Sequence, residues 1–337
     1  MTDQYNPFEE NEISIKANGG TELIKRRLAS ELPSNLTNEF QIICSRVRDL
    51  RDDKIRVYWI HDLPNDGETN HIKEQWSRNR FHKIVFCGYW QYNQFINHLN
   101  LPYDTKLAVI DNGIYPIDDH EKPTDTIELV YMSSPQRGLE ILVPVFTKLV
   151  EKYPSIKLNV FSSFNIYGWE NADEQPRFKQ VFDQCKNHPN IVYHGFKDNS
   201  FIREYLKKCH ILSYPSIWPE CNSIAMMEAM SAGLLCVHPN YAGLSDTCGG
   251  LTAQYQFYGD MNTHAQAFYG ALDHAISIIH DPATQNYLKF VKNYSDCRFN
   301  MNRIKLQWQD LLEGLLNQYP ANSRKLINEP VFSYKAL

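Results

Sequence analysis

Short apolar segments, many of them β-branched, alternate along this chain with helix-compatible stretches, and that alternation restricts the fold more than any other feature. Strands are expected at 39–45, 55–61, 83–87 and 106–111. A second series follows at 127–132, 156–162, 190–194, 209–214 and 234–238. Strands that alternate with helices form parallel sheets covered on both faces. Between the two series, residues 115–126 are polar, carry Pro116 and Pro123 and show no periodicity, so they read as a linker. A chain of 337 residues is long for one domain and comfortable for two. The expectation is therefore an α/β protein of two units. After Gly249-Gly250 the chain reads as helical, with helices at 262–280, 282–293 and 301–317. The last of these carries Ile304, Trp308, Leu311, Leu312 and Leu315 at helical spacing, a packing stripe. Residues 1–18 read as a loose arm and 320–337 as an irregular tail.

Residues 218–233 carry the strongest chemical signal. Glu220 and Glu228 stand there with seven residues between them. Glu220 follows Pro219 and lies in a loop. Glu228 falls inside a helix-forming run, 224–230, closed by Gly233, with Ser223 or Asn222 as its N-cap. One carboxylate thus sits just off a helix N-terminus, the other about five residues in, ~7 Å along the axis. The amides between them offer an anion site. A diphosphate with hydroxyl-bearing groups on either side fits this spacing, and a sugar nucleotide has that layout.

Other candidates lie at loop positions following strands, where ligands of parallel sheets gather. His61 and Asp62 end the second strand; His61 is either a site residue or a cap on a neighbouring backbone. Arg137 follows Ser133-Ser134-Pro135-Gln136 and precedes a helix, a placing that suits phosphate as well as an ordinary surface arginine. Ser162 and Ser163 allow close approach of a ligand. Phe196 stands on the loop after another strand, able to pack a nucleobase or to join the core, with Lys197 beside it. Gly19-Gly20-Thr21 precedes a helix from Leu23 to Leu32, where it either brings amides to a ligand or makes a turn with Thr21 as N-cap.

A net charge of −5 gives no global attraction to nucleic acid or anionic lipid. The basic stretches around Lys25–Arg27, Arg46–Arg56 and Lys73–Lys83, with Trp76 and Phe81, are either separate solvated charges or one basic, aromatic face for DNA. Eight scattered cysteines form no C-x-x-C pair, so no zinc or thioredoxin-type site is expected, and buried reduced thiols are. Asp118-Asp119-His120 reads as solvated linker rather than metal site. The N-terminus has no secretory pattern, and no apolar run approaches the ~18 residues of a membrane span. A cytoplasmic location is expected, with peripheral membrane contact left open.

The block Tyr214-Pro215-Ser216 through Pro219-Glu220, Glu228-Ala229-Met230 and Gly233 resembles the E-x7-E signature of retaining GT-B glycosyltransferases of the glycogen-synthase-like and sucrose-synthase-like superfamily (glycosyl transferases group 1). Gly19-Gly20 resembles that family's N-terminal glycine loop. Asp111-Asn112-Gly113-Ile114 resembles its turn before the linker, Arg137-Gly138 its Lys-Gly at the diphosphate, and His194-Gly195-Phe196 its nucleotide loop. The resemblance implies two Rossmann-like domains facing across a cleft: 1–118 for the acceptor, 119–300 for the nucleotide-sugar donor. It also implies a C-terminal helix, 301–319, packing back towards the first domain, followed by a tail, 320–337.

By the same resemblance, Glu220 contacts hydroxyls of the transferred sugar, Glu228 the donor ribose, and Arg137 the diphosphate. The amides of Asn222 to Ile224, with Cys221 beside them, hold sugar and phosphate; Ser134, Ser162, Phe196, Gly19 and Gly20 complete the donor site, and His61 stands near the reaction centre. No metal or other cofactor is expected. The chain departs from the family where Ser133-Ser134 replaces a Gly-Arg pair, and where only residues 12–17 could supply a strand before Gly19. The acceptor implied by default is a glycan or a lipid-linked saccharide; a peptide, a small metabolite or a hydroxylated base in phage DNA are alternatives. Rival readings are a sugar-nucleotide epimerase and a non-catalytic nucleotide-sugar-binding protein.

Overall fold

The computed structural model describes residues 5–8, 16–169, 171–321, 324 and 326. The chain divides into two compact units, Met1–Gly113 with Met301–Leu337, and Ile114–Asn300. The first contains α1 (Gly20–Glu31), a short α2 (Ser34–Thr37), β1 (Phe40–Cys44), β2 (Ile55–Ile60), a short α3 (Gln75–Arg78), β3 (Lys83–Phe86), α4 (Tyr89–Leu99) and β4 (Leu107–Val109). The second contains β5 (Glu128–Met132), α5 (Leu139–Lys152), β6 (Lys157–Phe161), α6 (Pro176–Asn187), β7 (Ile191–Tyr193), α7 (Asn199–Leu206), β8 (Ile211–Ser213), α8 (Ile224–Ser231), β9 (Leu235–Pro239), α9 (Leu244–Cys248), β10 (Ala253–Tyr255), α10 (Met261–Ile278) and α11 (Pro282–Arg298). The final helix, α12 (Met301–Gln318), belongs to the first unit.

In the first unit four parallel strands run in the order β1-β2-β3-β4. Every residue of β2 is buried, as a parallel sheet covered on both faces requires. On one face Tyr58 and Ile60 pack with Phe81, Ile84, Phe86 and Phe95. On the other, Trp59 meets Trp308 of α12, ring centres 4.9 Å apart, so the apolar stripe read from the sequence is core of this unit. Of residues 12–17, 12–15 lie outside the described residues, and 16 and 17 form no strand. Phe8 instead makes an isolated parallel bridge to Ile42 at the edge of β1. Parts of the arm 1–18 and the tail 320–337 likewise lie outside the described residues.

The second unit holds six parallel strands in the order β10-β9-β8-β5-β6-β7. The chain winds outwards from β5 through β7, returns to pair β8 with β5, then winds outwards on the other side. This doubly wound order makes β5 and β8 the pair at which the winding reverses, and ligands of such sheets bind off the C-terminal ends of that pair. Its core runs from Leu129, Val130 and Tyr131 through Leu142 and Phe146 to Met226, Met230 and Val237.

Three local expectations are corrected. Residues 253–255 form β10 where no strand was expected; Ala253-Gln254-Tyr255 has no β-branched residue and gives no strand pattern, and it extends the sheet by pairing with β9. The helix expected to end near 293 continues to Arg298. The unit boundary falls after Gly113 rather than 118, because Ile114 donates to the Phe299 carbonyl (2.7 Å) and the Ile117 N–H to Ser231 Oγ (2.8 Å). Seven of the eight cysteines are shielded to some degree, and Cys297 on α11 is exposed. Among the described residues no helix is long and apolar enough to cross a membrane.

Candidate active site

The loops that leave β5 and β8 meet at the reversal point of the second sheet. After β5, Pro135–Arg137 form a single 3-10 turn and Gly138 opens α5 with φ of 132°. A Cβ on Gly138 would lie 2.3 Å from the Pro215 carbonyl oxygen, so only glycine lets the two loops approach this closely. The Ile217 N–H then donates to the Arg137 carbonyl at 3.3 Å.

That contact brings Arg137 to Glu220. Arg137 Nη1 donates to Glu220 Oε1, and the Tyr214 hydroxyl donates to the same oxygen. Arg137 Nη2 reaches the Tyr167 hydroxyl at 3.4 Å, and the guanidinium lies 5.6 Å from the centre of the Trp218 ring. Arg137 Nε is buried and has no hydrogen-bond partner among the described residues. Burial works against the arginine's charge, but Glu220, Tyr167 and Tyr214 outweigh it and hold its pKa above the ordinary value. Burial and then the neighbouring Glu220 carboxylate push the Tyr214 phenol up, so it stays a donor.

A third loop supports Glu220 from behind. The Gly243 N–H, after β9, donates to the Glu220 carbonyl at 2.8 Å. A Cβ on Gly243 would stand 2.2 Å from the Cys221 carbonyl oxygen and 2.6 Å from that of Glu220. The start of α8 is fixed as its sequence suggests: Ser223 is the N-cap, its hydroxyl accepting from the Met226 N–H at 3.4 Å. Among the amides expected to face an anion, that of Ser223 donates to Thr247 Oγ1 at 3.3 Å. Asn222 is buried, and Cys221 and Ile224 are half-buried.

Glu228 is the fifth residue of α8 and buried. Asn199 Nδ2 donates to its Oε2 at 2.8 Å and Arg203 Nη1 to its Oε1 at 3.2 Å, both from α7. Ser134 is buried, its hydroxyl 3.2 Å from that of Tyr167. Ser162 is buried, and its Oγ has no partner among the described residues. Phe196 lies half-buried on the loop after β7, where Gly195 adopts φ of 65°. Lys197 stands 5.7 Å from the Phe201 ring.

The first unit holds the other candidates. His61 follows β2, and its N–H donates to Ser45 Oγ at 2.9 Å. Its ring centre is 4.4 Å from that of Trp59, and its Nε2 is buried with no hydrogen-bond partner among the described residues. Burial, and then the charge of Lys25, depress the His61 pKa to about 3, so the imidazole is neutral. Gly19 is the extended N-cap of α1 and Gly20 its first residue, which displaces Thr21 from the expected capping position.

Of the basic, aromatic stretches on the first unit, Arg56, Arg78, Arg80 and Phe81 are buried and so lie outside any surface face, whereas Arg26, Arg51 and Lys73 are exposed. Arg80 donates to Ser77, Arg78 to the carbonyls of Ile72 and Lys73, and Arg48 pairs with Glu68. His120 Nδ1 lies 2.8 Å from its neighbour Asp118's carbonyl, and among the described residues no group of three His, Cys, Asp or Glu side chains is placed to hold a metal.

Within the second unit the structure thus joins Arg137 to Glu220 on one side and, through Tyr167, to Ser134 on the other, and separately pairs Glu228 with α7. Sequence reasoning gave no role to Tyr167, Tyr214, Asn199, Arg203 or Gly243. The spacing of Asn199 and Arg203, i and i+4, puts them on one helix face, which is a usable signal once Glu228 is suspected. Nothing in the sequence marks Gly243 or Tyr167.

Residues 117–269 match the model of the family described as glycosyl transferases group 1. A search of curated proteins finds no match. Among solved structures the chain is similar to a glycosyltransferase from Rickettsia africae, at 15% identity, covering 91% of this chain and 84% of that one, with a TM-score of 0.63. It is similar to Anabaena HepE in complex with UDP and glucose, at 14% identity over 88% of this chain and 83% of that one, with a TM-score of 0.60. It is also similar to the pneumococcal O-GlcNAc transferase GtfA in complex with UDP and GlcNAc, at 11% identity over 79% of this chain and 53% of that one, with a TM-score of 0.59. These likenesses show the fold: two parallel-sheet, Rossmann-like domains matching GT-B glycosyltransferase structures.

Proposed function

We propose that this chain is a retaining glycosyltransferase that moves a sugar from a nucleoside-diphosphate-sugar to an acceptor hydroxyl, with no bound metal ion. The observation that carries the reading is the meeting of Arg137 and Glu220 at the reversal point of the donor-type sheet, beside the start of α8. The family match over this unit and the UDP and sugars held by HepE and GtfA support it. In the proposed complex the diphosphate takes Arg137 and the transferred sugar's hydroxyls take Glu220, so each ion of the resting pair exchanges its partner for the donor. Tyr214 and the Gly243 N–H keep Glu220 in place during the exchange. Glu228 accepts from the ribose.

In the transfer step the bond from the anomeric carbon to the diphosphate oxygen breaks while the acceptor oxygen bonds to the same face of that carbon. The acceptor's proton passes to the departing diphosphate oxygen. Arg137 stabilises the charge that develops there, the role a metal ion would otherwise fill. His61, neutral and beside the strand end, is proposed to stand at the sugar. The acceptor proposed is a glycan or glycoconjugate.

A thermal-shift screen across nucleotide sugars identifies the donor, and NMR of the product reads the anomeric configuration. Glu220→Gln should cut turnover by about 100-fold or more, the scale of losing a group that acts at the reacting centre, with no sugar bound covalently to the protein. An inverted product or a glycosyl adduct on Glu220 would refute the mechanism. Isomerisation of the donor alone would identify an epimerase, and binding without turnover a nucleotide-sugar-binding protein.

A further inference from the structure

Glu228 sits in a helix segment whose neighbours Met226, Met227, Ala229 and Met230 are fully buried. A carboxylate in such surroundings is costly unless it is paired and hydrogen-bonded. The pairing comes from one face of α7, with Asn199 on one carboxylate oxygen and Arg203 on the other. A donor on each oxygen fixes the plane of the carboxylate as well as its charge. Arg203 is itself held, since its Nη2 donates to the Pro116 carbonyl at 3.4 Å. Helix α7 follows directly on the loop that carries Gly195 and Phe196, so one short stretch reaches from the expected nucleobase position to the carboxylate.

We propose that Asn199 and Arg203 are positioning residues that aim Glu228 at the vicinal hydroxyls of the donor ribose, and that Arg203 thereby sets a preference for ribonucleotides over 2′-deoxyribonucleotides. This rests on the reading of Glu228 as the ribose acceptor. A carboxylate held in one plane accepts from two adjacent hydroxyls together. A nucleotide lacking the 2′-hydroxyl leaves that buried acceptor short of a donor, which is the kind of mismatch that discriminates strongly. A carboxylate free to rotate loses this sensitivity, because it can turn to serve the single remaining hydroxyl.

The test measures binding of UDP, GDP and ADP, each beside its 2′-deoxy counterpart, by calorimetry on the wild type, R203Q, R203K and N199A. The wild type should favour the ribo form of the cognate nucleotide by about tenfold or more, the scale of one hydrogen bond to a charged group. R203Q should weaken the ribo form by a similar factor, leave the deoxy form within about twofold, and so abolish the preference; R203K should retain part of it. Should R203Q not fold, N199A carries the same expectation with a smaller loss. A full ribo preference in R203Q, or equal weakening of both nucleotides, would overturn the inference while leaving the proposed function intact. A wild type that binds the cognate nucleotide without ribose preference overturns Glu228's role and the inference with it. A wild type that binds none of the nucleotides overturns the donor reading itself, together with what rests on it.

Discussion

Gly243→Ala tests whether the position of Glu220 depends on the loop behind it. Gly243 has φ of −72° and ψ of 1°, a conformation any residue adopts, so alanine brings no backbone strain. By itself such a change would stabilise the fold by ~0.4–1 kcal/mol through the unfolded chain. The contacts decide otherwise. The new methyl would stand 2.2 Å from the Cys221 carbonyl oxygen, 2.6 Å from that of Glu220 and 2.8 Å from the Cys221 carbonyl carbon. All three are backbone atoms, which no rotamer change can move aside. Restoring van der Waals distance requires the Glu220–Cys221 segment to retreat by about 1 Å, and a displacement of that size at a reacting centre costs roughly 100-fold in rate. The assay is steady-state transfer from the identified donor, with melting temperature as the fold control. The expected result is kcat lower by about 100-fold in a protein that still melts cooperatively. Gly259→Ala is the companion control, because nothing lies within 4 Å of its added methyl. Wild-type kcat in Gly243→Ala would refute the claim that this backbone contact places Glu220.

Two further outcomes follow from the same geometry. Arg137→Ala should weaken binding of the donor nucleotide by at least ~1.5 kcal/mol, about tenfold, as expected for losing a charge-assisted contact; calorimetry reads it, and unchanged affinity removes Arg137 from the diphosphate. His238, fully buried with Nε2 2.6 Å from Thr252 Oγ1, has its pKa depressed by burial to about 4. The unfolded state therefore binds a proton first, so its share of stability is present above ~6.5 and lost as pH falls towards 4, by up to ~1.4 kcal/mol per pH unit. Urea midpoints between pH 7 and 4.5 should fall less steeply in His238→Gln than in the wild type, and equal slopes would refute this assignment.

Much of the architecture could be read directly because it rests on burial patterns. Strands such as Ile55–Ile60 are apolar on both faces, a pattern only a covered parallel sheet explains. Elements that depend on pairing rather than pattern were harder to see: β10, Ala-Gln-Tyr, has no β-branched residue, and its identity comes from its partner β9. The candidate site divides in the same way. Ser223 as N-cap and Glu228 inside its helix are local facts, fixed by residue type and spacing. The partners of the two carboxylates are not local. Arg137 is 83 residues from Glu220, and Arg203 is 25 from Glu228. Sheet order, which no short stretch of sequence encodes, decides both meetings. The basic stretches show the opposite failure: Arg56 and Arg80 look like surface charge in a linear reading, yet both are buried.

The two carboxylates are prepared for different tasks by these partners. Glu220 shares its cation with the proposed phosphate position, since Arg137 lies at the end of β5 and the start of α5, where an anion is favoured. Under the proposed function that pairing is exchangeable: a diphosphate would compete for Arg137 with a carboxylate that sugar hydroxyls would satisfy in turn. Without the donor the two charges neutralise each other, which keeps the loop ordered and avoids an uncompensated charge in a half-buried setting. Glu228 is paired to Asn199 and Arg203 of α7 rather than to Arg137, so under the proposed function its pairing is expected to persist while the donor is bound. A substitution at Arg137 should accordingly change donor affinity and turnover together, because it removes one side of an exchange. A substitution at Arg203 should act chiefly on which nucleotide is accepted.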